Sequence, residues 1–232
     1  MRTTIAAVML CLASLAYGNS DISKVNGSIH VTAGQTVGKV SSVNGAITID
    51  QDVTARNVET VNGAIRVGAR SRVETLEAVN GSITLAEGAT AQSMQSVNGA
   101  LRVGSGSEVA GDVASVNGAI TAEAGARIQG NVENVNGKIM LEQAHVAGRL
   151  KSTNGGIEVG AQSYVGNGIL VTKPRMSGFS INRSKPKIVI GPGAVVDGTL
   201  KFEREVELYV SESAKIGPVE GATPVKFSGT RP

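Results

Sequence analysis

An Asn-Gly pair that recurs every 18 or 19 residues is the feature that most constrains how this chain can fold. The spacings between successive pairs are 18, 18, 18, 18, 19, 19 and 18 residues. Val precedes the first seven pairs and Thr153 precedes the eighth. Self-similarity at a constant period of this length is typical of proteins whose repeats stack on one another. The Asn residues of the pairs are Asn26, Asn44, Asn62, Asn80, Asn98, Asn117, Asn136 and Asn154.

A shorter period of six residues lies inside each repeat. Val61, Val67, Val73 and Val79 are six apart, and we expect each to begin a hexad whose fifth place is often small. Three hexads form one repeat, and the 3.6-residue period of a helix is absent. The pattern predicts a three-sided coil of short strands, with successive coils stacked about 4.8 Å apart and a column of Val and Ile inside.

The predicted fold class is therefore all-β: a single-stranded, three-sided β-solenoid of about ten coils of 18–19 residues. Its rod would be roughly 45–50 Å long at strand spacing. A series of β-hairpins with Asn-Gly turns is the alternative. A meander of hairpins would not need three hexads per unit, so the constant period favours the solenoid.

Each Asn-Gly pair is expected at a corner of the coil. Glycine adopts positive φ without steric cost, and asparagine tolerates left-handed conformations. Stacked Asn side chains could also form a hydrogen-bonded ladder along the axis. A structural ladder is the main interpretation and a ligand-binding ladder is the alternative. The two 19-residue coils carry one extra residue, which we expect as a corner bulge within 109–113 and 128–132.

The first 18 residues resemble a secretory signal peptide, so we expect an exported protein, periplasmic or at the cell surface. Arg2 is the charged start, residues 5–15 are apolar, and Ala16-Tyr17-Gly18 is a small-x-small cleavage site. The alternatives are a retained anchor and a lipoprotein that uses Cys11. Cleavage after Gly18 would remove the one cysteine, so the mature chain would form no disulfide. No later segment could span a membrane as a helix.

Residues 19–172 are expected to form the repeat solenoid, 173–187 a loop, and 188–232 further coils and a cap. The hexads resume after the loop, and Val225 and Phe227 are expected to cover the open end. Five cations and no acid lie in the loop, a composition that could bind an anionic glycan or lipid. A solvated loop is the alternative. The cations are Lys173, Arg175, Arg183, Lys185 and Lys187.

Catalytic chemistry finds little support in the sequence. The two histidines, His30 and His145, fall at different coil positions, and no oriented partner for His30 as a general base is evident. The carboxylates do not converge on one face, as a glycan-cleaving site would require. We predict no catalytic, cofactor-binding or metal site. The formal charge of +3 is too small to indicate nucleic-acid binding.

Several segments resemble known bacterial repeat families. Val109-Ala110-Gly111-Asp112-Val113, His145-Val146-Ala147-Gly148-Arg149-Leu150 and Ile190-Gly191-Pro192-Gly193-Ala194-Val195 resemble the bactofilins, which are polymer-forming β-helix proteins. The recurring Val-Asn-Gly-x-Ile-x-Val resembles bacterial adhesin repeat domains. These likenesses cover most of residues 25–216. They imply a β-helix without catalytic residues, and the bactofilin likeness implies end-to-end assembly without nucleotide.

The expected function is that of a non-enzymatic, exported scaffold that self-associates in the cell envelope, end to end or laterally. Residues 25–31 would present an open strand edge to a second chain. A charge at Val31 or Val37 should then block assembly. A surface adhesin that binds an anionic glycan or lipid through the basic loop is the alternative. A hexapeptide-type acyltransferase that uses His30 is a third hypothesis.

Overall fold

A computed structural model of the protein describes residues 20–174 and 185–232. The secondary structure of the described residues consists of β-strands joined by turns. These residues contain no helix that is long and apolar enough to cross a membrane. The predicted signal peptide lies outside the described residues, as do Arg175 and Arg183 of the predicted loop.

The strands, in chain order, are β1 (Ile22–Asn26), β2 (Ile29–Val31), β3 (Thr36–Val37), β4 (Val40–Asn44), β5 (Ile47–Ile49), β6 (Thr54–Asn62), β7 (Ile65–Val67), β8 (Arg72–Asn80), β9 (Ile83–Leu85), β10 (Thr90–Ser96), β11 (Leu101–Val103), β12 (Glu108–Val109), β13 (Val113–Ser115), β14 (Ile120–Ala122), β15 (Arg127–Ile128), β16 (Val132–Asn134), β17 (Ile139–Leu141), β18 (His145–Val146), β19 (Leu150–Ser152), β20 (Ile157–Val159), β21 (Tyr164–Val165), β22 (Ile169–Val171), β23 (Lys187–Ile190), β24 (Val195–Val196), β25 (Leu200–Phe202), β26 (Glu207–Ser211), β27 (Lys215–Ile216), β28 (Val219–Glu220) and β29 (Val225–Phe227).

These strands form a three-sided β-solenoid, as the period predicts. The first face is an 11-stranded parallel sheet that runs from β2 to β29. The second and third faces belong to one 18-stranded sheet, because β6, β8 and β10 each run unbroken across the corner between them. The third coil shows the pattern, with β7 on the first face and the two parts of β8 on the second and third. Eleven strands on the first face mean eleven turns, close to the ten or so expected.

The core is a set of aliphatic columns that run the length of the rod. In the third coil the inward side chains are Ile65 and Val67 on the first face, Val73 on the second, and Leu76 and Ala78 on the third. Each stacks on its equivalent one coil away, since the strands pair in register. The small fifth place of the hexad is an inward corner position. Ser71 is fully buried there and its Oγ donates to the Asp50 carbonyl at 2.8 Å.

The expectation that the Val of each Val-Asn-Gly belongs to the core is wrong. Val67 and Val73 point inward, but Val61 and Val79 point outward and are 40% and 42% exposed. The corner after Val73 takes only two residues, and strand alternation then directs Leu76 and Ala78 inward. The third face therefore keeps the period of 18 residues but places its core residues three and five positions after Val73.

The predicted extra residue of the 19-residue coils lies at the corner between the second and third faces. Three residues separate Val109 from Val113 there, whereas two separate Ala91 from Met94 within the continuous strand β10. The three-residue corner then persists in later coils, such as the one between Val146 and Leu150. It breaks the long strand into two short ones.

The C-terminal residues form an eleventh turn rather than a cap folded across the end. β29 pairs in parallel with β26, and it aligns Lys226 with the fully buried Val210. Val225 is 55% exposed, so it does not cover the core as expected. The predicted basic loop is also shorter than 173–187, because Lys187 is the first residue of β23.

Positive φ recurs in the corner between the first and second faces, whereas among the Asn-Gly pairs it occurs in Gly27. Glycine occupies it in several coils, but Gln162 adopts it with φ 57°. A left-handed conformation is unfavourable for a residue with a Cβ. Replacement of Gln162 by Gly should therefore raise the free energy of unfolding by about 1 kcal/mol.

Chemical denaturation of Gln162→Gly and Ala161→Gly, compared with the parent, measures this effect. Ala161 is the preceding exposed residue of the same turn and does not have positive φ. Its replacement by Gly should lower stability by up to about 1 kcal/mol. If the two variants lose stability equally, the left-handed corner does not cost what this explanation requires.

The Asn-Gly corner and the valine groove

The asparagines of the Asn-Gly pairs form one continuous hydrogen-bonded ladder. Each Asn from Asn44 onward donates its Nδ2–H to the Oδ1 of the Asn in the preceding coil, at distances of 2.6–3.1 Å. Every amide therefore points the same way along the rod. The expected structural ladder is confirmed in its geometry. Because interior Asn amides are already engaged with each other, they offer little to a ligand.

The glycines of these pairs are required by close approach and not by backbone conformation. Only Gly27 among them has positive φ, so the expected left-handed Asn-Gly corner is wrong for the later coils. A Cβ on Gly99 would overlap with the carbonyl oxygen of Gly81 in the coil before, and the other later glycines meet the same obstacle. The coils stack so closely at this corner that only glycine fits.

A row of buried polar side chains completes the corner from inside. Thr60 Oγ1 donates to the Gly45 carbonyl at 3.1 Å, and Ser96 Oγ donates to the Gly81 carbonyl at the same distance. Asn134 both donates and accepts a hydrogen bond at this corner. Its Nδ2–H donates to the Gly118 carbonyl, and its Oδ1 accepts from the Gly137 N–H. A buried carbonyl without a partner is costly, so these side chains stabilise the turn.

Arg204 closes the carbonyl end of the ladder. Its Nη1–H donates to Asn154 Oδ1 at 2.8 Å and to the Thr153 carbonyl at 3.1 Å. A cation at this end is favourable, because the aligned amide dipoles place their negative ends there. Sequence reasoning missed this residue, which is 50 positions away from Asn154.

The outward valines line a long groove on the third face. The groove takes three consecutive residues from most coils, such as Gln95, Ser96 and Val97, and its volume is about 1480 Å³. Valines form one wall from Val25 to Val135, one in each successive turn, whereas Ser41, Glu59 and their equivalents form the other. We call this the valine groove; its valines are Val25, Val43, Val61, Val79, Val97, Val116 and Val135.

The chemistry of the valine groove changes along the rod. Thr153 and Thr172 replace valine in the next two coils, and their hydroxyls hydrogen-bond to each other at 3.0 Å. Lys173 and Glu203 also line this end, and the Lys173 N–H approaches Glu203 Oε2 at 3.4 Å. The groove is therefore apolar on its valine wall for most of its length and polar at one end.

The basic loop is less free than its composition suggested. Lys185 Nζ lies 3.1 Å from Glu205 Oε2, and Lys187 Nζ lies 4.9 Å from the centre of the Tyr209 ring. Lys173 is exposed at the end of the valine groove. The loop's role toward an anionic partner stays a prediction.

The two histidines lie on different faces and each has a neighbour that sequence reasoning missed. His30 on β2 is 2.8 Å from Asp50 Oδ2, so the expectation that it has no oriented partner is wrong. His145 on β18 stacks on Tyr164 at 4.5 Å between ring centres. The His30–Asp50 pair is solvent-exposed and lies outside the groove. Among the described residues no group of three or more metal-ligating side chains forms.

Ion pairs between successive coils explain the shifted pKa values of the surface. The pKa of Asp52 is lowered because its carboxylate accepts two hydrogen bonds from Arg70, at 2.8 and 2.7 Å. The pKa of Lys39 is raised, first by its hydrogen bond to Glu59. Such exposed pairs contribute little to stability.

Comparison with protein-family profiles, with curated proteins and with solved structures finds no match. The resemblance to bactofilins and to adhesin repeats therefore stays a prediction.

Loss of an interior Asn should destabilise the rod more than loss of the first. Asn98→Ala removes one bond to Asn80 and one from Asn117, whereas Asn26→Ala removes only the bond from Asn44. We expect Asn98→Ala to lower the free energy of unfolding by about 1–2 kcal/mol, and Asn26→Ala by about half of that. If the two variants lose equal stability in thermal and urea unfolding, the ladder bonds do not contribute to stability as proposed.

Tyr164 should ionise at higher pH than an ordinary tyrosine. Its OH donates to Asp197 Oδ2 at 2.9 Å, and chiefly this bond raises the pKa of the phenol above 10. The neutral phenol is favoured by folding, so its contribution is present below pH 10 and is lost as pH rises through the folded pKa. Ultraviolet titration of tyrosinate should show Asp197→Asn lowering this pKa. An unchanged titration would contradict the assignment.

Proposed function

We propose that the protein is a non-enzymatic, exported scaffold rod that associates with a second copy through its N-terminal coil. The observation that carries this proposal is the difference between the two ends of the solenoid. Within the described residues, β1, β2 and β3 each pair with one strand only, namely β4, β5 and β6. Strands with an unpaired edge bind other chains.

The backbone of β2 shows what this edge offers. Ile29 N–H donates to the Ala46 carbonyl at 2.9 Å, toward the second coil. Because successive residues of a parallel strand bond on alternate sides, the N–H of His30 points away from the second coil. The inward side chains Val31 and Val37 are buried in the chain, at 0% and 4% exposure. The edge therefore presents backbone groups rather than apolar side chains.

This burial changes the test that the sequence suggested. A charge at Val31 or Val37 would enter the core of the first coils, so failure to assemble would not be separable from failure to fold. A change that removes an edge donor without disturbing the core is required instead.

The C-terminal coil is poorly suited to the same association. Lys226 occupies the inward row next to Val210, and Pro218 and Pro224 immediately precede β28 and β29. Inward charges and prolines on edge strands discourage pairing with another chain. Association through the N-terminal ends alone would join two rods about a two-fold axis and then stop, because such an interface is closed.

Export is supported by the leader pattern of residues 1–18, and an envelope location follows from it. The alternative of an adhesin acting through the basic loop has less support, because Lys185 and Lys187 already contact Glu205 and Tyr209.

His30→Pro and His30→Ala test the N-terminal association. Both variants lose the contact with Asp50, but only the proline removes the edge N–H. We expect the parent and His30→Ala to sediment as a pair of chains at micromolar concentration, and His30→Pro as a single chain. Melting temperatures should confirm that both variants are folded. Association of His30→Pro that equals that of His30→Ala would overturn the proposal.

A further inference from the structure

We propose that the valine groove binds the aliphatic chain of an anionic amphiphile, with the head group at the end formed by Thr153, Thr172 and Lys173. This inference does not depend on the proposed self-association, because it concerns the side of the rod and not its end.

The shape of the groove favours a thin ligand over a second copy. The groove is concave and runs along the stack, since it is lined by the same three positions in successive coils. Two identical concave surfaces do not fill each other. Successive valines are about 4.8 Å apart, so the seven valines span roughly 29 Å. A single extended chain matches such a surface.

The valine wall excludes ligands that need polar contacts along their length. The strands cross the groove, and their N–H and C=O groups are used in bonds between coils. The neighbouring Asn amides are used in the ladder. An extended peptide would place backbone polar groups against valine without partners, which is costly. An aliphatic chain has no such groups, and contact with exposed valine is favourable for it.

The opposite wall is polar and disfavours an anionic polymer laid along the groove. Glu59, Glu77 and Glu133 lie on it. Glu59 is paired with Lys39 at 2.5 Å, and Glu133 with Lys151 at 2.9 Å. An amphiphile can leave this wall to solvent while its chain lies on the valines.

The end of the groove supplies the charge that an anionic head group needs. Lys151, Lys173, Glu133 and Glu203 line this end, and Lys151 is already paired with Glu133 at 2.9 Å, so Lys173 is the cation offered to a head group. Within residues 20–174 and 185–232, the Lys173 ammonium has no ion-pair partner, and the side chain is exposed. Lys24 lies at the other end, but its Nζ donates to the Ser28 carbonyl at 2.9 Å.

The first test uses a triple variant that the fold already tolerates. Val97→Thr, Val116→Thr and Val135→Thr, the three valines nearest the head-group end, together copy the residues found naturally at this position in Thr153 and Thr172. The probe is dodecanoate below its micellar concentration, measured by titration calorimetry with the full chain. We expect binding to the parent and a loss of about tenfold in affinity for the triple variant, since apolar contact is replaced by hydroxyl. Val189→Thr with Val195→Thr, outside the groove, is the matched control and should bind as the parent does.

The second test separates the head group from the chain. Lys173→Glu should weaken dodecanoate binding by about threefold and strengthen binding of dodecyltrimethylammonium by a similar factor. Vesicles of phosphatidylglycerol form the membrane arm. Four results would each overturn the proposal: no binding of dodecanoate, equal binding by the triple variant and its control, no response to Lys173→Glu, or binding to vesicles without binding to monomeric dodecanoate.

Discussion

The close stacking of glycine on glycine at one corner is the constraint on which the rest of the solenoid depends. Each later glycine of an Asn-Gly pair lies so near the glycine carbonyl of the preceding coil that a Cβ has no room. The Asn ladder outside and the Ser, Thr or Asn row inside then satisfy the polar groups that this approach brings together. The corner sets a common register for the three faces, and the aliphatic columns follow from it.

The same corner creates the valine groove. Strand alternation places one residue inward just before each Val-Asn-Gly, and that position is mostly polar because it bonds the glycine carbonyl. The valine that follows must point outward. An apolar column on the surface is thus a geometric consequence of the way the corner is built, and Thr153 and Thr172 show that the position does not require valine. Retention of valine over seven coils is what the fold alone does not explain.

The sequence predicted the period, the all-β class, the three-sided coil and the Asn ladder, because these depend on spacing that repeats without interruption. The sequence did not predict correctly which positions of each repeat point into the core and which point outward. Val61 and Val79 obey the six-residue period yet lie outside, since the corner after Val73 is shorter than a hexad implies. Contacts across long separations also escaped it. Arg204 reaches Asn154, and Asp50 reaches His30, through stacking that no local pattern encodes.

We propose that the two ends of the rod are unequal, so that two copies join at their N-terminal coils and growth stops there. Eleven turns give a rod of about 50 Å at strand spacing. Negative-stain electron microscopy of the purified protein measures the particle length directly. We expect particles of about 100 Å with a two-fold axis at their midpoint. Uniform single rods, or filaments of indefinite length, would contradict it.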